Sequence, residues 1–168
     1  VFLPTLIAGY YYYAVATPMY ATKTEFVIQQ AQSASPSASG LAGLFQGTSM
    51  ATQQDSITVQ SYLASRAALV RLDEDHGFRE HFSNPELDEI QRLAPDASNE
   101  DLFNLFKKHV KISYDPTEGF VKMEVIAADP GVAKEYSQSL ISYAEELVDN
   151  LSQRKRADQM SGARESYE

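Results

Sequence analysis

The sequence predicts an α+β fold: a small mixed sheet covered by helices, with an N-terminal transmembrane helix and a long C-terminal stalk helix. Three observations predict it. Val1 to Thr22 carries no charge, whereas all 14 Lys and Arg and all 23 Asp and Glu lie beyond it. Three segments alternate apolar and polar residues with the period of two that a half-buried strand requires. Finally, Asp129-Pro130 opens a helical pattern with no stop signal before Glu168.

The uncharged opening, residues 1–19, is long enough to approach the roughly 30 Å of a bilayer's hydrocarbon core when helical. Four consecutive tyrosines, Tyr10, Tyr11, Tyr12 and Tyr13, fit a membrane interface, because each ring is apolar and each hydroxyl needs a polar partner. A buried helix of a soluble protein is the plainer alternative, but nothing nearby would cover it on all sides. Ala14-Val15-Ala16 resembles a signal-peptide cleavage site, yet no basic region precedes the run. The favoured expectation is a transmembrane helix whose start lies ahead of Val1, ended by Pro18.

Residues 20–151 form the expected α/β domain. Tyr20, Thr22, Thr24, Phe26 and Ile28 share one face of a first strand. Ala31 to Gln54 is an uncharged Ser/Ala/Gly/Gln-rich loop that nevertheless contains Leu41, Leu44, Phe45 and Met50. Those four either fold back on the domain or dock on a neighbour, since loops this long are commonly functional. Val59, Leu63, Ala67 and Val70 mark an amphipathic helix over 55–72. Asn84-Pro85 predicts a short helix to about Leu93. Ser98-Asn99-Glu100-Asp101 has capping-box spacing before a helix to about His109. Val110, Ile112 and Tyr114, then Val121, Met123, Val125 and Ala127, alternate across a loop of turn formers and predict a hairpin. Residues 130–168 form the last helix, with an apolar face of Val132, Tyr136, Leu140, Tyr143, Leu147 and Leu151 that fades towards a coiled-coil stalk. Together these elements make an open ferredoxin-like layer.

Chemistry is sparse. A net charge of −9 argues against nucleic-acid binding, which needs clustered cations. Without cysteine there is no disulfide, thiolate metal site or thiol nucleophile. His76, His81 and His109 lack metal-ligand spacing. Gly40, Gly43 and Gly47 are not followed by Lys-Ser/Thr, so no phosphate loop is formed. Asp73-Glu74-Asp75 and Asp88-Glu89 read as solvated surface rather than catalytic carboxylates. No catalytic residue, cofactor or metal is predicted.

The order of these elements resembles a known family. The apolar helix passes into Tyr20-Ala21-Thr22-Lys23-Thr24-Glu25-Phe26-Val27-Ile28, and a Gly/Ser loop leads to Gln60-Ser61-Tyr62-Leu63-Ala64-Ser65-Arg66. Tyr114-Asp115-Pro116-Thr117-Glu118-Gly119-Phe120-Val121-Lys122-Met123-Glu124-Val125 follows, then Asp129-Pro130 and Glu145-Glu146-Leu147-Val148-Asp149-Asn150-Leu151-Ser152. Nearly the whole chain resembles the inner-membrane capsule polysaccharide export proteins of Gram-negative bacteria, the KpsE, CtrB and BexC group. These are polysaccharide co-polymerases with a Wzz-like periplasmic domain.

The resemblance implies two transmembrane helices, a periplasmic domain of Wzz type, a helical stalk and an octamer-like homo-oligomeric ring. It implies a non-catalytic scaffold in the bacterial inner membrane, with most of the chain in the periplasm. Its partners would be an ABC transporter permease and ATPase, an outer-membrane export channel and, transiently, capsular polysaccharide. The return stalk helix, the second membrane helix and a cytoplasmic N-terminus lie outside this sequence. An O-antigen chain-length regulator or the periplasmic half of a tyrosine autokinase would share the fold. A membrane-tethered hydrolase or sensor would instead need a deep pocket of converging carboxylates or aromatics.

Overall fold

The computed structural model describes residues 2–28 and 53–165. Helix α1 (Phe2–Tyr10) continues into a π-helical turn (Tyr11–Val15), and strand β1 (Tyr20–Phe26) follows. Helices α2 (residues 53–63), α3 (Arg66–His76), α4 (Phe78–Phe82) and α5 (Asn99–His109) precede β2 (Val110–Asp115) and β3 (Phe120–Ala127). Helix α6 (Pro130–Glu165) ends the described chain.

The sheet order is β1-β3-β2, and both pairings are antiparallel. The expected mixed sheet is corrected on this point. Strands β1 and β2 do run the same way, but β3 lies between them, so parallel neighbours never meet. The hairpin makes β2 and β3 neighbours: Gly119, at φ 74°, returns its N–H to the Asp115 carbonyl at 2.8 Å. The Asp115 carboxylate accepts from the Thr117 and Glu118 amides, and these bonds hold its pKa below the usual carboxylate range. The alternation of β3 is as expected, with Val121, Met123, Val125 and Ala127 all buried.

Against that face pack Phe78, Phe82, Phe106 and Tyr136, whose rings meet at centroid distances of 4.8 to 5.6 Å. Buried aromatics of this kind contribute about 1.5–3 kcal/mol each through area removed from water. The capping box before α5 forms as its spacing predicts: Ser98 Oγ accepts from the Asp101 amide, and Asp101 accepts from the Ser98 amide. Asp129 likewise caps α6 by accepting from Gly131 and Val132.

Three boundaries differ from expectation. The expected 55–72 helix breaks at Ser65, whose extended backbone and side-chain bond to the Ala68 amide begin α3 anew. Leu69 and Leu72 are then buried, whereas Ala67 and Val70 are exposed. Asn84-Pro85 opens a series of turns rather than a helix, because Asn84 and then Asp88 draw successive amides onto their side chains. The N-terminal helical tract ends at Val15, ahead of Pro18, where Ala16 is already extended. Among the described residues no helix is long and apolar enough to cross a membrane. Phe2–Val15 rises roughly 20 Å, less than the hydrocarbon core needs.

Helix α6 extends for 36 residues, roughly 54 Å. It runs beside β1, to which Ser137 and Thr24 join it by a 3.0 Å hydroxyl contact. Helix α3 lies antiparallel to it, pinned by Arg71–Glu146 at 2.6 Å and by the Tyr143 hydroxyl donating to Asp75 at 2.5 Å. Beyond Ser152 its described side chains are exposed. One end of the domain therefore holds Tyr20, Ala127 and the start of α6; the other holds the Lys155–Asp55 pair at 3.0 Å.

Candidate functional site

The N-terminal tract is joined to the domain at a polar junction centred on Asp88. The residue is 9% exposed, and its carboxylate accepts from four groups. The Tyr11 hydroxyl donates to Oδ1 at 3.0 Å, and the Thr17 amide donates to Oδ2 at 3.0 Å. The amides of Ile90 and Gln91 complete the set at 3.0 and 3.2 Å. In return the Asp88 amide donates to Thr17 Oγ1 at 3.0 Å, and Gln91 Nε2 to the Thr17 carbonyl at 3.3 Å. Burial pulls the Asp88 pKa upward, but the donors from Thr17, Tyr11, Ile90 and Gln91 outweigh it and hold the group below its ordinary value.

Local chemistry explains each part. Thr17 precedes Pro18, which favours extended geometry and leaves the Thr17 amide without a helical acceptor. The turn at 84–93 offers Asp88 between Leu87 and Leu93, both buried, and the Leu93 amide donates to the Phe82 carbonyl at 2.7 Å. The carboxylate is thus fixed to α4 on one side and to the tyrosine tract on the other.

The four tyrosines are not equivalent. Tyr11 is half-buried and bonded, while Tyr10, Tyr12 and Tyr13 are 71%, 76% and 96% exposed. Leu41, Leu44, Phe45 and Met50 lie outside the described residues. Asp88, read from sequence as solvated surface, is instead the buried centre of the junction. Thr17 and Gln91 carried no signal either; a proline-bounded turn with an Asp among apolar residues was the only hint.

The histidines serve structure. His109 donates from Nδ1 to the Leu105 carbonyl at 3.0 Å, and His81 Nε2 accepts the Ala128 amide at 3.3 Å. Burial lowers both pKa values. His76 stands between Glu135 Oε1 at 2.9 Å and Ser139 Oγ at 2.6 Å, an order that superficially matches a nucleophile relay. Ser139 sits within α6, however, where neighbouring amides are engaged in helical bonds and cannot hold an oxyanion. The trio ties α3 to α6. Among the described residues no group of three or more His, Cys, Asp or Glu is placed to hold a metal.

A cleft of about 400 Å³ opens beside the end of β1, lined by Phe26, Val27, Ile28, Ile141, Ala144 and Val148 with Glu145 and Asp149. Its charges are both negative, so it offers an anionic polymer no counter-charge.

No protein-family model matches the chain. Curated relatives do. The chain is 27% identical over 169 aligned residues to the capsule polysaccharide export inner-membrane protein BexC of Haemophilus influenzae, covering 99% of this chain and 45% of that protein. It is 30% identical over 162 residues to CtrB of Neisseria meningitidis serogroup A, covering 94% and 41%. To KpsE of Escherichia coli it is 23% identical over 151 residues, covering 90% and 40%. The chain thus spans less than half the length of these relatives. The alignment with BexC takes in nearly the whole of this chain, and this chain is a sequence relative of the capsule polysaccharide export inner-membrane proteins.

Proposed function

We propose that the chain is part of a non-catalytic scaffold for capsule polysaccharide export. The tyrosine tract is held at the inner membrane and the sheet domain stands in the periplasm. The observation that carries this reading is the Asp88 junction, which fixes an apolar, largely exposed tract to a folded domain from which α6 leads away. The names of the relatives supply the process. A domain that only needs to be positioned has no use for a catalytic constellation.

In this reading copies of the chain form a Wzz-like periplasmic ring beside the ABC transporter permease and ATPase. The long helix continues as a stalk towards the outer-membrane channel. Leu41, Leu44, Phe45 and Met50 contact a neighbouring protomer, and polymer passes with only weak contact. The test is the mass of the full-length protein extracted in detergent from capsulated cells. A multimer that co-purifies with an ATPase supports the scaffold; a monomer without one refutes it. Replacing Leu41, Leu44 and Phe45 together with serine should lower that mass while leaving the domain folded, and an unchanged mass would remove those residues from the interface.

A further inference from the structure

The junction carries with it an apolar side chain that the domain does not use. Ile90 is 68% exposed, although Leu87 and Leu93 on either side of it are buried. Its backbone amide donates to Asp88 Oδ1, the same oxygen that receives the Tyr11 hydroxyl. Ile90 is therefore held two residues from a carboxylate that touches the tyrosine tract. The turn is rigid at this point, since the Asp88 bonds and the Leu93–Phe82 backbone bond fix both of its ends.

The tract beside it indicates what covers Ile90. Leu3, Leu6, Ile7, Tyr10, Tyr12 and Tyr13 are each 63% or more exposed. An apolar helix that no described residue covers needs an apolar solvent, and a bilayer supplies one. Tyrosines at its end belong at headgroup depth. Asp88 lies one tyrosine side chain away from that level, and Ile90 is anchored to Asp88.

We propose that Ile90 is a second contact between this chain and the lipid surface, seated beside the tyrosines at headgroup depth. The contact rests on the membrane placement of the tract proposed above. It orients the domain as well as tethering it: a helix alone leaves rotation about its axis free, whereas a second apolar contact on one side of the helix selects one orientation. Within residues 84–97 Arg92 is the only basic side chain, while Glu86 and Glu89 precede Ile90 and are exposed. The matching surface is accordingly a zwitterionic phospholipid rather than an anionic one.

These 168 residues contain no tryptophan, so once any tryptophan elsewhere in the full-length protein is replaced by phenylalanine, single-tryptophan variants report depth without background. Ile90→Trp, Tyr12→Trp and Met160→Trp would be made in the full-length protein. Each would be placed in phosphatidylcholine nanodiscs containing lipid brominated near the top of the acyl chains. All three positions are exposed, and Met160 lies roughly 45 Å along α6 from its start. Tyr12→Trp should be quenched, and Ile90→Trp should be quenched about twofold or more above Met160→Trp, as expected of a side chain at the headgroup boundary. If Tyr12→Trp is quenched while Ile90→Trp matches Met160→Trp, the Ile90 contact is overturned and the tether stands. If Tyr12→Trp is also unquenched, the membrane placement fails and the Ile90 contact fails with it.

Discussion

The Tyr11 hydroxyl donates a 3.0 Å hydrogen bond to Asp88 across 77 residues of sequence. That bond, with the Thr17 amide on the other carboxylate oxygen, makes the tyrosine tract and the sheet domain one mechanical unit at their boundary. A tract joined only through residues 16–19 would swivel. Clamped to Asp88, it transmits its orientation to β1 and, through the Ser137–Thr24 contact, to α6.

Asp88→Ala should loosen this junction without unfolding the domain. The carboxylate accepts four bonds but contributes nothing to the Phe78–Phe106–Tyr136 core. Amide exchange at Thr17, Ile90 and Gln91 should accelerate, while exchange in β3 stays unchanged. Tyr11→Phe should accelerate Thr17 less, because it removes one of the four donors. Equal protection of Thr17 in wild type and Asp88→Ala would show that the tract is held by something else.

Acid should weaken the fold through two imidazoles, the buried His109 and the half-buried His81. Burial lowers the pKa of His81 and of His109; Asp129 opposes this at His81, and at His109 the Leu105 carbonyl opposes it while Lys108, His81 and Lys111 reinforce it. The unfolded chain then binds more protons than the native one below the ordinary histidine pKa of about 6.5. Stability is fully present above that value and declines as pH falls through it towards the depressed native pKa values. Urea midpoints should therefore drop between pH 7 and pH 5. His109→Leu, which cannot titrate, should show a shallower drop; an identical slope would remove His109 as a cause.

The elements legible in the sequence are those whose causes are local. Ser98 and Asp101 satisfy each other three residues apart, so the start of α5 could be read directly. The alternation of β3 was equally plain, because a central strand must bury every second side chain on the covered face. The break at Ser65 was not legible: Ala64, Arg66 and Ala67 all favour helix, and only the packing of α3 along α6 calls for a turn there. Asp88 was misread for a related reason. Asp88-Glu89 in a polar stretch has the composition of surface, and the donors that bury it come from Tyr11 and Thr17, far away in sequence. A site built from partners 71 and 77 residues apart leaves no periodic trace.

Phe106 joins the helical layer to the sheet. It is fully buried, and its ring meets Phe78 edge-on at 5.6 Å. Phe106→Ala removes most of that buried area and leaves a cavity, a change that costs about 3–5 kcal/mol in comparable cores. Equilibrium urea unfolding should register a loss of that size. A loss below about 1 kcal/mol would mean that the surrounding aromatics collapse into the space.

The far end of the domain should behave differently. Lys155 reaches the Asp55 carboxylate at 3.0 and 3.2 Å, joining α6 to the start of α2 beyond the last buried residues of α6. The lysine side chain is 48% exposed, but the Asp55 side chain is only 9% exposed, so removing the lysine takes a partner from a buried carboxylate and costs more than breaking a surface pair. Lys155→Ala should therefore lower the urea midpoint modestly rather than leave it untouched. Its effect should be local: among the described residues few packing contacts hold α6 past Leu151, so losing the pair should raise amide exchange from residue 152 onwards and at the start of α2. The first five turns of α6, packed on β1, β3 and α3, should keep their protection. If exchange rises along the whole helix instead, α6 opens as one cooperative unit and its distal half stabilises the domain rather than merely projecting from it.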